Sequence, residues 1–377
     1  MTTHQLLPFC LTLRSHPERA EAVRELLRSG RVNWEELVWV STSMLVHTAM
    51  YVNLERAGLL EELPDDLVEF LSKHTEAARE RNRLTLSQIQ EVTSLLNTHG
   101  ISPIFTKGAA HHLSNLYEDP AERLMGDIDL LVQPDQVLKT WKVLKMNGYK
   151  EKNDPRTPTL TKAFIRQLET GQTSWWAERS YWGHHRHLPA LYPEDKPCRV
   201  EVHRQVLRKP YDKHFNINHF GSRLVRTNLE GEAWVMAPED QLLLVIMNGQ
   251  INDRGWGYGF YSLRQSYDLM LMSHQINPLE TIRHFGRWFP ILNTGLARSA
   301  VLLGNPQEIT WQNTHTTRLR LQKFDLERHY PRFFRFFYRW LSRGFRFFPW
   351  LIKKIMRGFR SVFSYIFALL KNYRLRT

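Results

Sequence analysis

The stretch that most constrains this chain runs from Arg123 to Val132 and reads Arg-Leu-Met-Gly-Asp-Ile-Asp-Leu-Leu-Val. From Asp127 onward, acidic and apolar residues alternate before the run turns fully apolar. A strand has a side-chain period of two, so Asp127 and Asp129 share one face while Ile128 and Leu130 share the other. Two carboxylates side by side repel, a cost that a divalent cation between them removes. Oxygen ligation of this kind suits Mg²⁺, which keeps several waters and is completed by substrate phosphates. A solvated sheet edge is the competing reading of the dipeptide spacing alone.

At 377 residues the chain is long enough for more than one domain. Its two cysteines, Cys10 and Cys198, are too few for a disulfide framework. With no signal-like N-terminus, they lead us to expect a reducing, cytoplasmic setting. No apolar run reaches the length of a membrane span. The net charge of +13 is unevenly placed. Residues 331–377 hold twelve of the 51 Lys and Arg and no acid, which leaves 39 basic against 38 acidic residues in 1–330. Arguments from basicity to partners therefore concern the tail.

Residues 1–100 read as a helical region. Trp34 to Gly58 has no Pro or internal Gly and reads as one helix. Pro64-Asp65-Asp66 starts another that continues to Gly100, its acids in the first turn as the helix dipole favours. The charged run Glu76 to Arg83 reads as a solvated face, with Arg79, Arg81 and Arg83 facing phosphates as the minority alternative. Ile101 to Thr106 is β-like. Lys107-Gly108 breaks it, and Ala109 to Tyr117 reads as a helix. Gly108 thus stands at a strand-to-helix junction, where backbone N–H groups attract anions and a glycine permits close approach. A helix over Pro134–Asn147 and a strand at 149–152 follow. Trp182 to Tyr192 and Cys198 to His203 read as two strands, the second placing Arg199, Glu201 and His203 on one face. His184, His185 and His187 lack the spacing of a zinc site and read as polar residues of a strand beside the active-site sheet. Helices return at 238–251, 260–274, 278–288 and 290–303. The loop 253–259 lacks the spacing of a dinucleotide-binding loop.

The order of these signals is specific: a strand, Lys107-Gly108-Ala109-Ala110, a Leu116-Tyr117…Asp119-Pro120…Arg123 loop, the Asp127–Val132 strand, then Glu201-Val-His203. It resembles the polymerase-beta-like nucleotidyltransferase superfamily, and within it a largely uncharacterised bacterial family. The Pro238-Glu-Asp-Gln run and Arg264-x3-Asp268 resemble that family's C-terminal helices, so the likeness covers about residues 85–275. Ala109 stands where the superfamily often has Ser, and Asn248-Gly-Gln250 stand where the family often has His.

The resemblance implies an α+β fold: a small mixed-sheet nucleotidyltransferase core (101–235) between helical regions at 1–100 and 236–325, with a tail at 326–377. It implies that Asp127, Asp129 and Glu201 are catalytic and hold Mg²⁺, with Mn²⁺ as a substitute. Lys107, Gly108 and Arg123 would bind the nucleotide. The implied reaction moves an NMP from an NTP to a hydroxyl acceptor the sequence does not identify. The alternative is a catalytically degenerate member serving as a membrane-surface or nucleic-acid interaction module.

In the tail, Arg332, Arg335, Arg339, Arg343 and Arg346 form one helical stripe, with Phe333, Phe337, Trp340 and Leu341 largely off it. A basic amphipathic segment with aromatics opposite reads as lying on an anionic membrane surface, here the inner face. Packing on the body or on another protomer, and binding to nucleic acid, are the other readings.

Overall fold

The computed structural model describes residues 3–152, 159–258 and 262–329. Its centre is a seven-stranded mixed sheet in the order β3-β4-β5-β2-β1-β7-β6. The strands are β1 (Ile104–Phe105), β2 (Asp127–Leu131), β3 (Lys150–Glu151), β4 (Leu191–Tyr192), β5 (Arg199–His203), β6 (Val225–Arg226) and β7 (Trp234–Val235). β2 and β5 run parallel at the middle, with Asp127 opposite Arg199, Asp129 opposite Glu201 and Leu131 opposite His203. β1 lies antiparallel to β2 on its other side. Ile128, Leu130, Val200 and Val202 point to the buried face, where they join Phe105, Trp141 and Leu191 in one core. The alternation read in the sequence is thus the alternation of the sheet, and its polar face carries Asp127, Asp129, Arg199, Glu201 and His203.

One helix, Asp65–Asn97, holds both central strands. Its buried positions Leu67, Leu71, Thr75, Ala78, Asn82, Thr85, Ile89, Val92 and Leu96 recur every three or four residues, which makes one stripe along 33 residues. The N–H of Ile101 closes its end onto the Leu96 carbonyl beyond Gly100, whose φ of +68° suits the C-terminal stop. Asn82 sits mid-stripe. Its Nδ2 donates to the carbonyls of Pro120 (2.6 Å) and Arg123 (2.9 Å), and its Oδ1 accepts from the Met125 N–H (3.0 Å). Gln88 does the same for β5, donating to the Cys198 carbonyl and accepting from its N–H. The helix thereby sets where β2 and β5 begin. Arg79 pairs with Asp119, Arg81 donates to the carbonyls of Met125 and Pro197, and Arg83 pairs with Glu80. None of the three faces the cavity described below, so their minority reading as phosphate ligands fails.

Two other expectations are corrected. Trp34–Gly58 is two helices, Trp34–Ser43 and His47–Arg56, bent by 118° at a corner where Leu45 takes φ +57°. The sequence has no breaker there. The turn lets every residue from His47 to Leu54 be buried, and tertiary packing outweighs local propensity. Trp182 to Tyr192 is not one strand. Trp175–His184 is a helix capped by the Ser174 side chain, and only Leu191–Tyr192 is strand. Tyr181 and Trp182 are buried in the sheet's core from that helix.

Beyond β7, the helices Pro238–Met247, Leu263–Ser273 and Phe289–Leu302 pack together, with a π-helical turn at Asn248–Asn252 ending the first. No single described helix is long and apolar enough to cross a membrane. By their contacts, residues 1–321 form one unit and 322–377 another, of which 322–329 are described. The basic stripe read at 332–346 lies outside the described residues.

Candidate functional site

On the polar face of β2 and β5, the strand register brings Asp127, Asp129, Arg199, Glu201 and His203 together. Asp129 is buried at the centre. Lys107 Nζ donates to its Oδ1 at 2.5 Å, and His203 Nε2 stands 2.7 Å from the same oxygen. His203 is buried too, and its Nε2 has no aligned hydrogen-bond partner. That nitrogen also faces Glu201 Oε2 at 3.6 Å. Ligand atoms of Asp129, Glu201 and His203 all lie within 4.8 Å of one another. Two carboxylates and a buried imidazole nitrogen without an aligned partner form a donor set that fits a divalent cation.

Asp127 lies on the same face but turns to another partner. Arg199 Nη2 donates to Asp127 Oδ2 at 2.7 Å, while Arg199 Nε donates to Glu201 Oε1 at 3.1 Å. The trio Asp127, Asp129 and Glu201 is therefore adjacent on two neighbouring strands. The group closest to a ligand cluster has His203 where the sequence reading put Asp127. His187 also reaches the site, 3.6 Å from Glu201 Oε2 and with its ring centre 4.8 Å from that of His203. Of the three histidines around 184–187, it is the one on this face; His185 stacks on Tyr181 instead.

The electrostatics follow from burial and these partners. Burial opposes ionisation of Asp129, yet the Lys107 ammonium and the close approach of His203 outweigh it and hold the carboxyl far below the ordinary range. Glu201 is likewise desolvated, yet His203 and His187 bring it down to about 2. Asp127 moves the other way: burial, then repulsion from Asp129 and Glu201, raise it despite Arg199 and Lys107. Burial and the neighbouring His203 press His187 down to about 4, so it is neutral at pH 7.

Lys107 begins the seven-residue helix Lys107–Leu113 with φ +55°, an uncommon conformation for a residue with a side chain. The junction's left-handed residue is thus Lys107, not Gly108. A Cβ on Gly108 would meet Arg123 and Met125 at an ordinary 3.8 Å, so nothing in the protein itself requires glycine there. Gly108 does line a cavity of about 380 Å³ that opens beside Asp127 and Asp129. The helices Pro238–Met247 and Leu263–Ser273 also line it, through Leu244, Arg264 and Asp268, as does Asn248 of the π-helical turn.

Arg123 reaches this cavity from the loop before β2, and that loop is pinned throughout. Asp119 and Glu122 form a capping box. The buried Glu122 accepts from Tyr267 Oη (2.6 Å) and Arg56 Nη1 (2.9 Å). Arg123 is buried and donates from Nε to Asp268 Oδ2 at 3.0 Å; Tyr117 Oη donates to Asp268 Oδ1 at 2.7 Å. Burial disfavours the Asp268 charge, but Arg123 and His111 hold the carboxyl below its usual range. His111 and Asp268 had no role assigned from sequence. The one signal for Asp268 was its place four residues after Arg264, on the same helix face.

The arrangement joins an acidic, cation-fitting strand pair to a cavity sized for a small molecule, whose lining includes Lys107, Arg123 and Arg264. No curated protein and no solved structure matches the chain. The family model described as "uncharacterised nucleotidyltransferase" matches residues 30–281, which takes in every residue of this site. The chain belongs to that uncharacterised nucleotidyltransferase family.

Proposed function

We propose that the protein transfers a nucleotidyl group from an NTP to a hydroxyl acceptor, in the manner of the polymerase-beta-like superfamily and with Mg²⁺ or Mn²⁺. The observation that supports this reading is that Asp127 and Asp129 line the same cavity as Lys107 and Gly108, and that Asp129 also belongs to the cation-fitting group with Glu201 and His203. Bound there, a divalent cation would neutralise phosphate charge and stabilise the oxygens of an in-line displacement. Asp129 and Glu201, both ionised across the physiological range, would hold it, with Asp127 turning in from Arg199. Lys107, the Gly108 backbone and Arg123 would orient the triphosphate, and a fixed orientation supplies much of the catalysis in phosphoryl-type transfer.

Release of pyrophosphate from each of the four NTPs, with cell extract as the acceptor source, tests the reading. Wild type should turn over with Mg²⁺ or Mn²⁺. Asp127→Asn/Asp129→Asn should abolish turnover while leaving the fold intact by circular dichroism. Undiminished release by the double variant would sink it.

One observation favours the alternative of a degenerate member that only binds. Each carboxylate of the site already has a cation of the chain beside it: Lys107 at Asp129, and Arg199 at Asp127 and Glu201. Silence with all four NTPs, with the acceptor supplied, would favour that reading.

For the tail, residues 331–377, the composition supports a seat on an anionic membrane surface at the cytoplasmic face, ahead of nucleic acid. Salt-reversible binding to phosphatidylserine vesicles and none to neutral ones is the expected result.

A further inference from the structure

We infer that Arg264 is the anion anchor of the cavity and takes the phosphate chain of the nucleotide. The inference rests on the nucleotidyl-transfer reading and adds a residue to it. It comes from the commitments of the Lys and Arg side chains that line the cavity. Lys107 is bound to Asp129, and Arg123 to Asp268. Arg264, half-buried on the cavity wall, makes no ion pair or hydrogen bond among the described residues.

Its natural partner would be Asp268, one turn along the helix Leu263–Ser273. Both oxygens of that carboxylate are taken, Oδ1 by Tyr117 Oη and Oδ2 by Arg123 Nε. Arg264 is therefore left as a desolvated cation beside a second cation. Burial first, and Arg123 next, lower its hold on its proton to about 10, although Asp268 and Asp127 pull the other way. A half-buried guanidinium with no carboxylate bonded to it is costly, and the cost is relieved when an anion enters. Its planar fork suits the paired oxygens of a phosphate better than an ammonium does. Asp127 and Asp129 line the same cavity, so a phosphate chain held at Arg264 would lie in one space with the cation-fitting group.

Inorganic tripolyphosphate is the probe, because it carries the phosphate chain without a base. Binding by calorimetry should weaken roughly tenfold or more in Arg264→Gln. In Arg264→Lys the loss should be smaller. The melting temperature of unliganded Arg264→Gln should equal or exceed that of wild type, since an unpaired charge has been removed. A residue that merely supported the fold would lower it. In wild type, phenylglyoxal modification of Arg264, mapped by mass spectrometry, should slow when tripolyphosphate is present; this measurement needs no variant to fold. Equal tripolyphosphate affinity in Arg264→Gln and wild type, or Arg264 modification unchanged by the probe, overturns the inference alone. Wild type that binds no tripolyphosphate overturns it together with the nucleotide reading.

Discussion

Arg199 stands directly opposite Asp127 across the parallel β2–β5 pair, and its Nη2 donates to Asp127 Oδ2 at 2.7 Å. The same guanidinium reaches Glu201, so one side chain of the protein holds the place between two carboxylates that a divalent cation would share. Removing it should free both acids. Arg199→Gln is expected to bind Mn²⁺ more tightly, on the order of fivefold for a partly exposed pair, and to melt lower without metal because the acids then repel. Mn²⁺ titration followed by electron paramagnetic resonance reads the affinity directly. Equal or weaker binding in the variant would show that Arg199 does not compete for the site.

Asn82 should matter more than its distance from the chemistry implies. It is fully buried, and its three hydrogen bonds fix the Pro120–Met125 loop that delivers Arg123 and Asp127. Asn82→Ala leaves those backbone groups without partners, and should cost about 3 kcal/mol in urea unfolding. Nucleotide turnover should fall with it. A variant within 1 kcal/mol of wild type would mean the loop is held otherwise.

The Arg123–Asp268 pair is buried on both sides. Asp268→Asn strands a buried guanidinium and should cost about 3–5 kcal/mol. Arg123→Met/Asp268→Leu removes both charges and should recover most of that stability in guanidinium unfolding. It should not recover turnover, since the cavity wall is then apolar. A double variant as unstable as the single would show that the geometry of the network, and not the stranded charge, dominates.

Acid should weaken the fold through His111. Burial lowers its folded pKa to about 4 from an ordinary 6.5. The unfolded chain then takes up the proton first. The contribution is complete above pH 6.5, is lost progressively as pH falls from 6.5 to 4, and is gone below that, for a total of about 3 kcal/mol. His111→Gln should flatten the fall in denaturation midpoint across that window by about one proton's worth. An unchanged slope in the variant would assign the acid sensitivity elsewhere.

The strands that carry the site were legible because a period of two is short and strict. Arg199–His203 alternates throughout and Asp127–Leu131 alternates until its last residue, and the faces they imply are the faces observed. The corner at Leu45 was not legible, because nothing local demands it; the burial of the helix that follows does. Trp175–His184 was obscured by Trp, Tyr and His, which have only middling helix propensity. Ser174, which caps it by accepting from the Ala177 N–H, was the available signal. The commitments of Arg199 and Asp268 depend on partners 72 and 145 residues away, and no spacing rule reaches that far.

The parallel pairing of β2 with β5 bears on how the chain is made. During synthesis, β2 emerges some seventy residues ahead of the strand that will cover one of its two edges. For that interval it has β1 on one side and a bare ladder of N–H and C=O groups on the other. A bare apolar strand invites pairing with another nascent copy. Asp127 and Asp129 place two charges on it, and like charges stacked across such a wrong pairing would repel. The pair Asp127 and Asp129 would thereby discourage the unfinished sheet from closing on the wrong partner.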